Sequence, residues 1–153
     1  GTRIGSTSPY SDDVNYVRGG QTPLLNNSPI IVMRDGTFVS SLGTPGGETI
    51  GQTQFQVLLN LIDFEMGIQE AIEAPRVSLH ALPNFYKPQA EVAMRVESRV
   101  PATVISRLEE IGHRPEPIAA FAIGNMQGIL VNQKTGTMTA GADPRRSMYA
   151  IGW

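Results

Sequence analysis

Residues 42–56 read L-G-T-P-G-G-E-T-I-G-Q-T-Q-F-Q, and the positions best suited to chemistry lie at the centre of this window. Pro45 is followed by Gly46 and Gly47, and a helical pattern begins directly after them. A helix N-terminus leaves amide N–H groups without intrahelical partners and carries partial positive charge. Two glycines there let an oxygen approach the backbone with no Cβ in its path. Such a loop suits an anion, either a phosphate or the oxyanion of a tetrahedral acyl intermediate. A Walker-type phosphate loop needs Lys and then Ser or Thr after its last glycine, whereas Glu48 follows Gly47 here, and G-x-G-x-x-G is missing. A plain tight turn is the third reading of the glycine pair.

Other catalytic residue types are scarce. The chain has no cysteine, which excludes disulfides, thiolate nucleophiles and Cys-ligated zinc. His80 and His113 are far apart and form no H-x-x-x-H pair, so no metal site is expected and no cofactor is called for. Charged residues make up 17% of the chain and the formal net charge is −2. No Lys/Arg stripe alternates with aromatics, so a nucleic-acid partner is not expected. No apolar run approaches the roughly 18 residues of a membrane span. A length of 153 residues with 41% apolar content fits one domain with a real core.

Several elements must position the glycine loop. Residues 1–28 are rich in Gly, Ser, Pro and Asn and read as a loop-rich arm; residues 29–153 read as the main domain. The β-branched run Ile30-Ile31-Val32-Met33-Arg34, the pair Asp35-Gly36 and the run from Thr37 to Leu42 predict a hairpin. From Glu48 the period turns helical, with Phe55, Leu58, Leu59, Ile62 and Met66 as the apolar face. Gly67 interrupts it, and a short second helix ends before Pro75. Residues 76–81 and 91–97 suit strands, with a turn at 82–89 between them. Pro101 suits the first turn of a helix with Val104, Leu108 and Ile111 on its face, ended by Gly112. Residues 126–132 and 137–140 flank Lys134-Thr135-Gly136 as another hairpin, and 147–153 suit a last strand. The sum is α+β, an antiparallel sheet with helices on one face and a missing partner surface.

At this point a resemblance becomes specific. P-L-L-N-N-S-P-I-I-V-M-R-D-G at residues 23–36 is similar to the P-L-S-S-M-S-P-T-I-V-x-x-D-G segment of γ-glutamyltranspeptidases. G-T-P-G-G-E-T-I at residues 43–50 resembles their G-[ST]-P-G-G-x-x-I loop, and the likeness continues through Gln54, Asn60, Ile62-Asp63, E-A-P-R at 73–76 and A-D-P-R at 142–145. The resemblance implies the C-terminal part of the small subunit of an N-terminal-nucleophile hydrolase, a four-layer αββα sandwich. In that family the precursor cuts itself into large and small subunits. The new N-terminal threonine then attacks a γ-glutamyl amide and passes the acyl group to water or an amino acid. Its own α-amine serves as base, so neither His nor metal is needed. By the same carry-over, the amides of Gly46 and Gly47 form the oxyanion hole. The large subunit and a small γ-glutamyl or acyl amide are the implied partners, and a periplasmic or extracellular setting is favoured.

Two departures matter. The family's T-T-H-x-S nucleophile motif does not occur in these residues, so the attacking threonine is expected upstream of Gly1. The adjacent serines that hold the glutamyl α-carboxylate in transpeptidases fall on Leu25 and Asn26; Leu25 cannot donate a hydrogen bond, while Asn26 can. Leu25, Asn26 and Asn27 are therefore the candidate acyl-binding segment, and Asn26-Asn27-Ser28 reads equally as turn chemistry. This replacement favours a family acylase or amidase with another acyl donor, or a non-catalytic relative. Asp13, beside Asp12, is the candidate carboxylate for a substrate amine, with a solvated loop as its alternative. Arg76, Asp143 and Arg145 read as structural ion pairs.

Overall fold

The computed structural model of the chain describes residues 10–12, 14, 16–22, 28–81 and 92–152. Strands β1 (Ile30–Arg34) and β2 (Thr37–Gly43) form the expected hairpin. Asp35 and Gly36 both have positive φ, 50° and 76°, the signature of a tight primed turn whose twist suits the strands. Strands β6 (Gln127–Val131) and β7 (Met138–Ala142) form the second expected hairpin, and β6 pairs antiparallel with β2. The resulting order is β1-β2-β6-β7.

Helices α1 (Ile50–Ile62) and α2 (Ile68–Glu73) supply the apolar side chains that meet those of this sheet. Leu42, Val57, Ile68, Ala71, Ile72 and Met126 are the buried centre. The approach is close because Gly128 and Gly141 stand opposite each other on β6 and β7. A Cβ at Gly128 would lie 2.6 Å from Leu42 Cδ2 and 2.9 Å from Ile68 Cδ1; one at Gly141 would lie 2.8 Å from Ile72 Cδ1. The missing side chains make the seat for α2.

A second sheet departs from the single antiparallel sheet that the residue pattern alone predicts, while an αββα sandwich, as the resemblance implies, contains two. Strands β3 (Val77–Ala81), β4 (Val92–Glu97) and β5 (Pro115–Ile118) lie in the order β3-β4-β5, and β4 pairs with β5 in parallel. Parallel neighbours need a crossover, and α3 (Ala102–Glu110) provides it, with Pro101 at its N-cap. The prolines of β5 are compatible with its edge position, since a ladder can lose a donor on its free side. The opposite edge belongs to β3, and α1 covers it with side-chain amides. Gln56 accepts from Val77 N–H and donates to Val77 C=O, both at 2.9 Å. Gln52 does the same for Leu79, at 2.6 and 2.8 Å. Two glutamines one helical turn apart thus imitate a neighbouring strand.

Three further expectations are corrected. Phe55 and Ile62 are 62% and 57% exposed, because α1 turns Ile50, Thr53, Gln54 and Val57 inward instead. On α3, Val104 and Ile111 are exposed and no residue of the helix is fully buried. Residues 147–152 form no strand; β7 already ends at Ala142, and the chain then turns through Pro144 to Ser147. No helix among the described residues is long and apolar enough to cross a membrane.

Candidate active site

The glycine loop lies where β2 ends and α1 begins, as a one-turn 3-10 segment at Gly47–Thr49 leading into the helix. Gly46 has φ 143° and Gly47 φ 57°, both in the region that L side chains avoid. A Cβ on Gly46 would stand 2.6 Å from Thr49 Oγ1. Thr49 closes the turn by donating its hydroxyl and its amide to the Gly46 carbonyl, at 3.0 and 3.2 Å. That carbonyl is thereby occupied. The amides of Gly46 and Gly47 lie outside the sheet ladders, and neither donates to another group among the described residues.

The loop is the rim of a cleft of about 520 Å³, whose lining includes Pro45, Gly46, Thr49, Phe121, Asn125 and Arg146. Asn125 N–H donates to Thr44 Oγ1 at 3.4 Å, joining the two walls. The far wall, residues 121–125, is held by a buried ionic knot. Its centre is Glu97 at the end of β4, with a side chain fully shielded from solvent. Glu97 Oε1 accepts from Ala122 N–H, Ile123 N–H and Arg145 Nε, at 2.9, 3.0 and 2.8 Å. Glu97 Oε2 accepts from Arg145 Nη2, Arg99 Nη2 and Arg76 N–H, at 2.7, 3.1 and 3.2 Å. Asp143 bridges Arg76 Nη1 at 2.8 Å and Arg145 Nη1 at 3.0 Å, and accepts Met126 N–H.

The charges respond as their surroundings require. Burial pushes the Glu97 carboxyl upward, but the Arg145 guanidinium and the Ile123 and Arg76 amides outweigh it and hold the pKa at about 2. Burial lowers Arg145 as well, yet its bonds to Glu97 and Asp143 leave it raised above the ordinary guanidinium value. Arg76 goes the other way. Burial and the like charge of Arg145 lower it, and one carboxylate partner, Asp143, does not compensate; its Nε has no hydrogen-bond partner.

The structural pairing expected of Arg76, Asp143 and Arg145 is thus present. Glu97 was missed, because the V-A-M-R-V-E alternation of β4 places it on the face opposite Val96, where a carboxylate reads as solvated. The Gln52–Gln56 pair was also missed, although its one-turn spacing was visible in the sequence. Asp13, Leu25, Asn26 and Asn27 lie outside the described residues. Just beyond that segment, buried Gln54 on α1 donates through Nε2 to the Ser28 carbonyl. His80 meets Ser78 Oγ at 3.0 Å on β3, and no group of three or more His, Cys, Asp or Glu among the described residues is arranged to hold a metal.

Comparison with known proteins shows the family of the chain. Residues 4–153 match the family model described as Gamma-glutamyltranspeptidase, and the chain belongs to that family, with its N-terminal-nucleophile hydrolase fold. The glutathione hydrolase proenzyme of Bacillus subtilis strain 168 is 32% identical over 140 residues, covering 90% of this chain and 22% of that protein. The chain therefore spans about a fifth of the length of such relatives. Among solved structures, a Helicobacter pylori gamma-glutamyltranspeptidase mutant superposes with a TM-score of 0.70 at 31% identity, over 88% of this chain and 68% of the other. The Pseudomonas nitroreducens enzyme complexed with L-DON gives 0.70 at 29% identity, over 99% and 74%.

Proposed function

We propose that these residues are the oxyanion-stabilising part of the small subunit of a self-cleaving threonine amidohydrolase or γ-glutamyltransferase. The observation that carries this reading is the pair of amides at Gly46 and Gly47, unengaged among the described residues, at a helix start beside a cleft that Gly46 lines. Amides fixed in advance stabilise charge developing on a carbonyl oxygen with no reorganisation during the reaction. The attacking threonine comes from outside these 153 residues, which contain no T-T-H-x-S string. Its hydroxyl adds to the amide carbonyl of a γ-glutamyl or related acyl donor, while its own α-amine accepts the proton. Collapse of the tetrahedral intermediate expels the amine, and water or an amino acid then takes the acyl group. A large subunit from the same precursor completes the site, and the apolar face of α1 at Phe55 and Ile62 is a surface such a partner covers.

Leu25 favours one variation. A leucine in place of a hydroxyl donor weakens recognition of a glutamyl α-carboxylate, which favours an acylase whose donor is not glutamyl. Purified full-length precursor distinguishes the cases. Mass spectrometry is expected to find two chains, the second starting with threonine, and γ-glutamyl or simpler acyl para-nitroanilides are expected to release nitroaniline. A precursor that stays whole and cleaves none of them overturns the reading and leaves a non-catalytic relative.

A further inference from the structure

Arg145 and Arg146 are adjacent in sequence and both border the cleft, but their side chains are in opposite states. The Arg145 side chain is 1% exposed and has used every donor it owns. Nε goes to Glu97, Nη1 to the Ile72 carbonyl and Asp143, and Nη2 to the Ala74 carbonyl and Glu97. A guanidinium has five N–H donors, so none is left for a ligand. Arg146 is exposed, and only its backbone amide has a partner among the described residues, the Asp143 carbonyl. Its guanidinium forms neither an ion pair nor a hydrogen bond with any of them.

The cleft wall beneath Arg146 is electropositive. Among the described residues, the buried guanidiniums of Arg76 and Arg145 and the partly exposed one of Arg99 meet two carboxylates, Glu97 and Asp143, one positive charge in excess. The lining includes exposed Arg146, with the buried Arg145 guanidinium behind it, and no carboxylate among the described residues. The opposite rim is the amino end of α1, which adds partial positive charge. Between them, Phe121 is held at φ 57°, a conformation that costs a bulky residue energy, with Arg99 stacked 3.7 Å from its ring centroid. A bulky side chain kept in that state at a cleft wall fits a surface shaped for a ligand.

We propose that Arg146 is a substrate-binding residue that takes a carboxylate of the amide substrate in this cleft. The assignment rests on the amidohydrolase reading, which makes the ligand an acyl amide of amino-acid type. Such a substrate offers a carboxylate in two places. One is the α-carboxylate of a γ-glutamyl acyl group, which Leu25 is unfit to bind. The other belongs to the amine side, as in a released or accepting amino acid. The chemistry at Arg146 is the same for both: a guanidinium pairs with a planar carboxylate through two parallel N–H bonds.

Full-length processed enzyme and four nitroanilides separate the sources. γ-Glutamyl-para-nitroanilide is compared with its γ-aminobutyryl analogue, which lacks the α-carboxylate. Each is also compared with a form whose nitroaniline ring carries a carboxylate. In Arg146→Ala, KM for the carboxylate-bearing member of one pair is expected to rise roughly ten- to a hundredfold more than for its uncharged counterpart, the range for one charge-assisted contact. Arg146→Lys restores part of that difference, and the pair that responds names the carboxylate. Equal loss on all four substrates, or loss in kcat alone, assigns Arg146 to structure and overturns the proposal. So does a variant indistinguishable from wild type. Wild-type enzyme that cleaves none of the four overturns the assignment of Arg146, whereas the amidohydrolase reading itself falls only when the simpler acyl anilides are refused as well.

Discussion

At the scale of single residues, Gly46 and Glu97 do opposite work. Gly46 is required for what it lacks: any Cβ there meets Thr49 Oγ1 at 2.6 Å on a backbone at φ 143°. In the full enzyme, Gly46→Ala is expected to reorient the loop amides and lower kcat by about 100- to 1000-fold with a smaller change in KM, as for loss of an oxyanion donor; steady-state kinetics on an acyl anilide reads both. Glu97 is required for what it holds. Glu97→Gln removes the charge that faces Arg145 and Arg99 in a dry interior, and is expected to cost about 3–5 kcal/mol of stability, measured by denaturant unfolding. The wild type carries a pH signature of the same contact. Its pKa of about 2 in the folded state lies below the roughly 4.3 of an unfolded glutamate. The contribution of Glu97 is therefore complete above about pH 4.5 and is lost as pH falls toward 2. Thermal melts across that interval are expected to show a shallower fall in Glu97→Gln than in wild type.

At the scale of elements, two contacts decide how helix meets sheet. The Gln52 and Gln56 amides occupy the free edge of β3. Gln56→Leu strips Val77 of both partners on that edge, and an unpaired buried amide or carbonyl costs about 1–3 kcal/mol. Hydrogen exchange at Val77 N–H is expected to accelerate in that variant, and unchanged protection would show that the amide pair is incidental. The seat of α2 is set by Gly128 and Gly141, so Gly141→Ala forces a methyl against Ile72 and is expected to destabilise by about 1–3 kcal/mol through overpacking. Neither contact follows from local pattern, because a glutamine on a helix reads as surface and a glycine in a strand reads as a bulge or weak point.

At the scale of the whole molecule, apolar surface is left open. Phe55, Ile62 and Phe64 are each more than half exposed along α1 and just past it, and Ile31 and Met33 are exposed on β1. Patches of this kind mark contact surfaces. Produced alone, these 153 residues are expected to bind a hydrophobic dye and to self-associate in light scattering, and Phe55→Ser with Ile62→Ser to reduce both. A monomeric chain with no dye binding would contradict this.

The sequence by itself determined both hairpins, the three helices (with α1 ending at Ile62, short of the expected Met66), the α+β class and the position of the glycine loop. Those rest on short-range causes: turn residues that accept positive φ at Asp35 and Gly36, apolar period, and breakers such as Gly67 and Pro75. Motif order carried the family, which the comparisons bear out. Only the tertiary structure decided that the strands divide into two sheets, that β4 and β5 run parallel, and that α1 buries Thr53, Gln54 and Val57 rather than Phe55. It alone brought Glu97 to Arg145, 48 positions away, and put Arg146 into the cleft with its guanidinium unclaimed by any described residue. The reason is that burial and charge pairing are relations between distant segments, and a residue's type sets which relations it can satisfy but not which one the packed chain presents.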